Sequence, residues 1–585
     1  MAGEVQEELE VQGEPTGHAM APALPDAPAN LTAVDIYRSR SKSGSSNKNR
    51  ELKSATTVSM DMRTVAAFLS EMKVAKDEVL RATPAHMALQ RRGEALRSTK
   101  DPGRFFCLSQ PVTEIDEFRS HSWHSGPWKK VLLLMVLKNG QAAVAAGTVT
   151  AGVSMLLFTF EVLPGYWTSA TGLHTVWSLC TGLAASAVTL FFWKPRQKVF
   201  LDRICVNQDD EEEKCSAILS IGAIIKNSKA MLVMWDSTYV ERLWCVFELA
   251  AYIKSHKGAQ NQHPVIRPIT LGVCAASFFV GMAGFMAVLI VISFEEPAVG
   301  MTILMTLGLA GFYVSAWGFR SFFRSVERTQ EQMKAFSVEG AKCACCERGH
   351  TGENAQSMCD RKIVLSCIDE WYGSTKNFED AVQSVVREVL AHQLGHDVLP
   401  YSWFLVASSP VVWGELDVVA VRIRKNFEQE AVYYMIVGLT WWLAVFPMLF
   451  LFWTRITHML RHNHGRKVEV LCNLICVAAW IPLLTLTYGF QFAVDSVLQH
   501  KIGGALVFAG CWTFIILINF IQRRRRGCSW RASASKEITE ANDVASPQTK
   551  KAKKSESDES QETDDIHNST VIFVRQEGDQ VYVHT

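Results

Sequence analysis

The sequence predicts an α/β domain on a parallel, doubly wound sheet, joined to an all-α domain that crosses a membrane many times. Two observations carry this. Five to seven long apolar runs are almost free of charge, and residues 198–251, lying between them, alternate short buried-strand patterns with helical ones. A bilayer span needs roughly twenty apolar residues, because the hydrocarbon core offers an exposed backbone no hydrogen-bond partner. Strands that alternate with helices call for a parallel sheet with helices packed on its faces.

The apolar runs are 141–160, 175–193, 268–294, 298–318, 431–453, 470–494 and 502–521. The first two are joined through the turn at Pro164 and Gly165, the next two around Glu295, Glu296 and Pro297. Trp, Arg and Lys edge them, as at membrane interfaces. Seven crossings would leave the basic loop 455–467 and the run 523–526 on the side opposite the N-terminus, against the positive-inside tendency. Residues 403–421 can supply an eighth crossing although they contain Glu415 and Asp417. A re-entrant or surface-lying segment is the alternative. With eight crossings both termini are cytosolic; which membrane is involved stays open.

Composition agrees. Hydrophobic residues make up 48% and charged residues 20%, and a net charge of +1 predicts no nucleic-acid partner. Residues 1–100 are expected to be mostly disordered, with no secretory signal in the polar opening stretch, and residues 523–585 to form a disordered cytosolic tail. Within that tail, 571–574 and 580–584 alternate about Gly578 as a terminal hairpin would. The fifteen cysteines are scattered in the manner of reduced cytosolic thiols, not of a disulfide framework.

Inside the α/β segment, 198–201 reads as a buried strand ending at Asp202, 218–225 as a helix, and 230–235 (AMLVMW) as a second strand. Asp236, Ser237 and Thr238 can cap the next helix, which carries Leu243, Phe247 and Ala250. Residues 264–271 supply a third strand just before the membrane.

These residues resemble the second half of Toll/interleukin-1 receptor (TIR) domains. The features are a strand ending at Asp202, a helix ending at Ser228, the strand up to Trp235, then Tyr239, Trp244-Cys245 and Glu248-Leu249. The stretch FLDRICVNQDDEEEK also resembles fungal heterokaryon-incompatibility (HET) domains. Residues 114–135, with Phe118, Ser120, His121, Ser122 and Trp123, resemble the TIR opening strand, Ser-containing loop and first helix. The resemblance thus covers roughly 114–138 and 197–272 and implies a flavodoxin-like cytosolic sheet, its second part being 197–267, split by the transmembrane hairpin 141–193. Two crossings return the chain to the side it left, so the halves can reunite. Further hairpin 268–319, a Cys-rich cytosolic lobe 321–400 and the C-terminal transmembrane region 403–521 complete the organisation.

The family resemblance implies signalling by self-association or partner binding. Many TIR domains also split NAD+ at the nicotinamide–ribose bond through one Glu, which falls here on Glu248. Trp244 lies one helical turn earlier on the same face. Ser122, Trp123 and Asp202 fall at substrate-contact positions. A carboxylate at the ribose would stabilise oxocarbenium-like charge, and no cofactor is required, NAD+ being the substrate. The bland alternative makes Trp244 a core residue and Glu248 a solvated charge. A channel or transporter is a third reading, weakly supported by the few acids near spans.

One further constellation, Cys343-x2-Cys346-x3-His350-x8-Cys359, offers four ligands of the kind that close a structural, tetrahedral zinc site. Cys345 and Cys367 are alternates, and free thiols are the other reading. The following residues 376–394 place Phe378, Val382, Val385, Val386 and Val389 on one helical face, with Gly395 as the stop.

Overall fold

The computed structural model describes residues 62–97, 103–123, 125–168, 172–256, 263–291, 298–334, 336–347, 359–390, 401–462, 465–522, 573–577 and 580–584. They fall into two units, Met1–Ile516 and Leu517–Thr585.

The first unit contains a six-stranded sheet. Its strands are β1 (Arg81–Pro84), β2 (Gln110–Pro111), β3 (Ile115–His121), β6 (Lys198–Phe200), β7 (Ser228–Trp235) and β8 (Val265–Pro268), in the spatial order β2-β1-β6-β3-β7-β8. A separate small pair, β4 (Tyr166–Thr168) with β5 (Gly172–His174), turns the chain between two long helices. From β6 to β8 every pairing is parallel, with Phe118 opposite Phe200, Ser120 opposite Val233 and Trp235 opposite Pro268. The central strands are buried along nearly their whole length, which is why 230–235 reads as a continuous apolar run instead of an alternating one. Phe118 and Phe200 stack at 5.0 Å across that register.

The sheet is mixed, not purely parallel: β1 runs antiparallel to β6 and β2 antiparallel to β1. Both extra strands precede β3 in the chain. The expectation of a mostly disordered 1–100 therefore does not extend to 62–97, which supplies β1 and the helix Met62–Ser70. Val65, Ala66 and Leu69 of that helix are buried. Charged, Ala-rich composition hid this contribution, because its order comes from packing on the sheet instead of local propensity. Residues 1–61 lie outside the described residues.

Between β6 and β7 come helices Asp202–Cys205, Glu211–Leu219 and Ile221–Lys226; the single helix expected over 218–225 breaks at Ser220. Asp210 caps the second of these by accepting the amides of Glu212 and Glu213 at 2.8 and 3.0 Å. Between β7 and β8 runs helix Leu243–Ser255.

Helix Pro127–Thr159 starts with proline at its first turn, where a missing N–H costs nothing, and continues unbroken for 33 residues. Its first turns belong to the α/β unit, where Lys130 is fully buried and Lys138 pairs with Glu117; the rest is apolar. Helix Trp177–Phe192 returns beside it, joined by Asn139 to the Leu190 carbonyl (2.8 Å) and Ser154 to Thr181 (2.8 Å). β6 follows directly, so the sheet is assembled from strands on either side of this hairpin.

Among the described residues, five helices are long and apolar enough to cross a membrane: Pro127–Thr159, Leu271–Leu289, Glu428–Met459, Arg466–Leu498 and Lys501–Gln522. Tyr401–Ala407 and Ser409–Arg424 form a sixth candidate bent by 50°. Its break coincides with Ser408, Ser409 and Pro410, where proline withholds an amide from the helical ladder. Helix Ala298–Lys334 runs 37 residues and packs along Leu271–Val291. At Gly311 a Cβ would lie 2.6 Å from the Gly281 nitrogen, so only glycine allows this backbone approach.

In the Cys-rich lobe, helices Asp360–Tyr372 and Thr375–Leu390 are joined through Gly373 at φ 80°. Phe378 and Val382 are buried as the amphipathic pattern expects; the Gly395 stop lies outside the described residues. The lobe packs on the α/β unit: Trp371 donates to the Ser70 carbonyl (2.9 Å), and Tyr372 to that of Ala250 (2.9 Å). The second unit contains an antiparallel hairpin, Phe573–Glu577 with Gln580–His584, close to the one expected.

Candidate functional site

Parallel strands all end at the same edge of a sheet, and the loops leaving that edge are where an α/β fold gathers its chemistry. Here the strand ends deliver Ser120, His121, Ser122 and Trp123 after β3, Asp202 after β6, and Asp236, Thr238 and Tyr239 after β7. Helix Leu243–Ser255 brings Glu248 to the same edge.

Ser120 donates to Glu248 Oε2 at 2.5 Å and lies 2.6 Å from the Tyr239 hydroxyl. Tyr239 is fully buried and stacks on Trp235 at 5.0 Å. Burial pushes the Glu248 carboxyl up to about 8, and the neighbouring charge of Asp202 adds to this against the Ser120 hydrogen bond. In this conformation Glu248 is therefore largely protonated at neutral pH.

Trp123 donates from Nε1 to Asp202 Oδ2 at 2.9 Å, and the Arg203 guanidinium lies over its indole at 4.5 Å. Burial raises the Asp202 carboxyl, opposed by that indole bond. Ser122 meets the Thr238 hydroxyl at 2.7 Å, and its carbonyl accepts from the Lys130 ammonium. Thr238 in turn gives both its amide (2.6 Å) and its hydroxyl (2.5 Å) to Asp236 Oδ1.

Two buried atoms here have no hydrogen-bond partner, His121 Nε2 and Asp236 Oδ2. Both residues are more than nine-tenths buried. Burial, with the nearby Lys130 charge, holds His121 well below its ordinary range, so its ring is neutral. Buried polar atoms without a partner are uncommon in folded proteins, and here two of them fall within one cluster at the strand ends.

Of the residues chosen from sequence, Glu248, Ser122, Trp123 and Asp202 come together at this edge. The contacts of Trp244 lead elsewhere: its ring meets Phe247 edge-on at 5.6 Å, and Phe247 leans on Trp371. Ser120, Tyr239, Asp236 and Lys130 complete the cluster and were not singled out as site residues. Period-2 alternation along β3 puts Ser120 on the same face as Ser122, a signal that could have found it. Lys130 carried no such signal, because an ammonium on an otherwise apolar helix reads as a solvated charge.

The Cys346 and Cys359 sulfurs lie 3.6 Å apart, and Cys343 is close enough to raise the Cys346 thiol after burial and the Cys359 contact. Among the described residues no group of three or more His, Cys, Asp or Glu is placed to hold a metal, and His350 lies outside them. The described donors therefore do not by themselves make a zinc site.

Compared with known proteins, the chain matches no family model, no curated protein and no solved structure.

Proposed function

We propose that this is a multi-pass membrane protein that holds a TIR/HET-like module on the cytosolic side for signalling by self-association or partner binding. The observation that carries the reading is the order of the parallel strands. Numbered along the chain as first to fourth, they lie 2-1-3-4 across the sheet, the order of flavodoxin-like domains up to their fourth strand. That order is rebuilt across an inserted membrane hairpin. Eight crossings with cytosolic termini fit the buried Arg320, which ties Leu460 at the end of one helix to Glu469 at the start of the next.

A second reading is favoured by the polar cluster at the strand ends. Glu248, Asp202 and the orphaned His121 and Asp236 atoms suit recognition of a polar ligand, and NAD+ hydrolysis is the chemistry that the TIR resemblance implies. In that reaction the ribose C1–nicotinamide nitrogen bond breaks, water supplies hydroxide to C1, and nicotinamide and one proton leave. An ionised Glu248 would stabilise the charge developing on the ribose. The neutral carboxyl tied to Ser120 is then a resting state, which assembly or ligand must open.

The test is NAD+ consumption by the full chain in nanodiscs, beside Glu248→Ala, with oligomer mass measured on the same samples. Consumption lost in Glu248→Ala establishes the hydrolase. Oligomers without consumption by the wild type support the assembly module alone. Monomers without consumption under conditions that assemble TIR domains would refute both.

A further inference from the structure

We propose that the helical part holds one membrane lipid by a single acyl chain, in a side-opening apolar pocket beneath the α/β unit. The proposal rests on the membrane placement above but not on the TIR resemblance. Four helices build the pocket: Pro127–Thr159, Trp177–Phe192, Leu271–Val291 and Tyr401–Ala407. It encloses about 350 Å³, which lies within the roughly 300–1,000 Å³ of small-molecule sites.

Its shape and chemistry select the occupant. Along the first helix the lining runs from Leu132 to Val144, which is about 18 Å of helix axis at 1.5 Å per residue. A volume of that size drawn out over that length suits one extended chain lying parallel to the helices, not a compact metabolite. The walls are aliphatic and aromatic side chains such as Leu137, Leu190, Phe279 and Trp403 with alanines between them; Gln141, Ser186 and Ser402 are the polar side chains, and among the described residues that line it none is charged. Ser186 spends its hydroxyl on the Ala143 carbonyl at 2.7 Å, so it offers little to a polar guest.

The mouth is continuous with the surface that faces lipid. Phe191 and Val280 line the pocket yet are 68% and 52% exposed, so in a bilayer hydrocarbon lies directly outside. All four helices contribute the ends that, in the proposed topology, lie in the cytosolic leaflet. Lys194 and Arg196 are exposed just past the end of Trp177–Phe192, at the level where the headgroup of an anionic lipid would sit. The lining helix is also the one that carries Lys130 to the Ser122 carbonyl.

The experiment uses the full chain in phosphatidylcholine/phosphatidylserine nanodiscs doped with a phospholipid carrying a diazirine in its acyl tail. After irradiation, labelled peptides are mapped by mass spectrometry. Label within 132–144 and 275–280 should saturate at low probe fraction. It should fall at least tenfold in Ala276→Phe, which fills the pocket from a half-buried wall position, while label on Lys501–Gln522 stays unchanged. Ala187→Phe enters from the opposite wall and serves if the first variant does not fold. Pocket label that rises linearly with probe like that on Lys501–Gln522, or that ignores both variants, overturns the proposal. So does complete displacement by free fatty acid together with free fatty acid, not phospholipid, extracted from the purified protein. Absence of label from Lys501–Gln522 as well refutes the membrane placement itself, which separates the two failures.

Discussion

Two carboxylates, the half-buried Glu248 and the buried Asp417, show how differently the two parts of this molecule use charge. In the α/β unit, Glu248 receives one hydrogen bond, from Ser120, and burial keeps it largely protonated. In the helical part, Asp417 accepts the amides of Ser178 and Leu179 at 2.8 and 3.0 Å, the first N–H groups of Trp177–Phe192. Those amides have no partner within their own helix, and the helix dipole favours a negative group there. One acid is held in a site and can be neutralised without leaving a donor stranded; the other closes a helix end. Arg320 repeats the second pattern. It is fully buried and donates to the carbonyls of Leu460 and Glu469, to Asn473 Oδ1 and to the Glu469 carboxylate. The lesson is that Asp417 and Arg320 hold helix ends and carbonyls together, whereas the Glu248 carboxyl at the sheet edge rests on a single hydroxyl donor.

Four measurements break or sharpen this contrast. The largest effect is expected for Arg320→Ala, which takes the donor from the Leu460 and Glu469 carbonyls and from Asn473 Oδ1 while Arg324 still pairs with Glu469, at a cost of about 1–3 kcal/mol for each acceptor left buried. Thermal unfolding in detergent, followed by size-exclusion, should show most of the protein lost; a wild-type profile would remove the structural reading. Gly311→Val comes next, since a branched side chain meets the Gly281 backbone. The expected outcome is a lower melting temperature with the α/β unit retained, read by protease mapping.

Glu248→Gln acts through pH. Folding raises this carboxyl from 4.5 to about 8, so between those values the folded chain keeps a proton that the unfolded chain has released. Stability from this group is therefore full below about pH 4.5 and is lost as pH rises through about 8. The wild type should lose stability relative to Glu248→Gln across that window, with the difference flat at lower pH. Parallel curves throughout would show that the carboxyl is solvated. The smallest effect belongs to Trp123→Phe, which keeps the ring and removes the bond to Asp202, at a cost of about 1 kcal/mol. A chemical-denaturation midpoint shifted by far more would mean that Trp123 holds the loop after β3 together.

Much of the fold was legible along the chain. The run AMLVMW marks β7, and the apolar stretches mark the long apolar helices. The partial reading of 403–421 as a charged, imperfect span was also sound as far as composition goes: the helix is there, and Asp417 is satisfied by another helix instead of by water. Less visible were β1 and β2. Four and two residues long, they carry no period of their own, and they form only because β6 presents an unpaired edge. The contact of Trp244 with Phe247 was hidden for a related reason. Spacing puts it one turn from Glu248, but which neighbours an aromatic ring meets depends on Phe247 and the Cys-rich lobe arriving from more than a hundred residues away.

Local chemistry decided what the long helices and the central strands become, because hydropathy, helical period and chain-stiffening prolines act over a few residues and need no partner. Tertiary structure decided which segments meet. The union of β3 with β6 across the 127–192 hairpin, the hydrogen bond from Ser120 to Glu248 and the capping of Ser178 by Asp417 all join residues far apart in the chain. Such contacts repay their loop-closure entropy only once the whole core is in place, so no short stretch of sequence displays them.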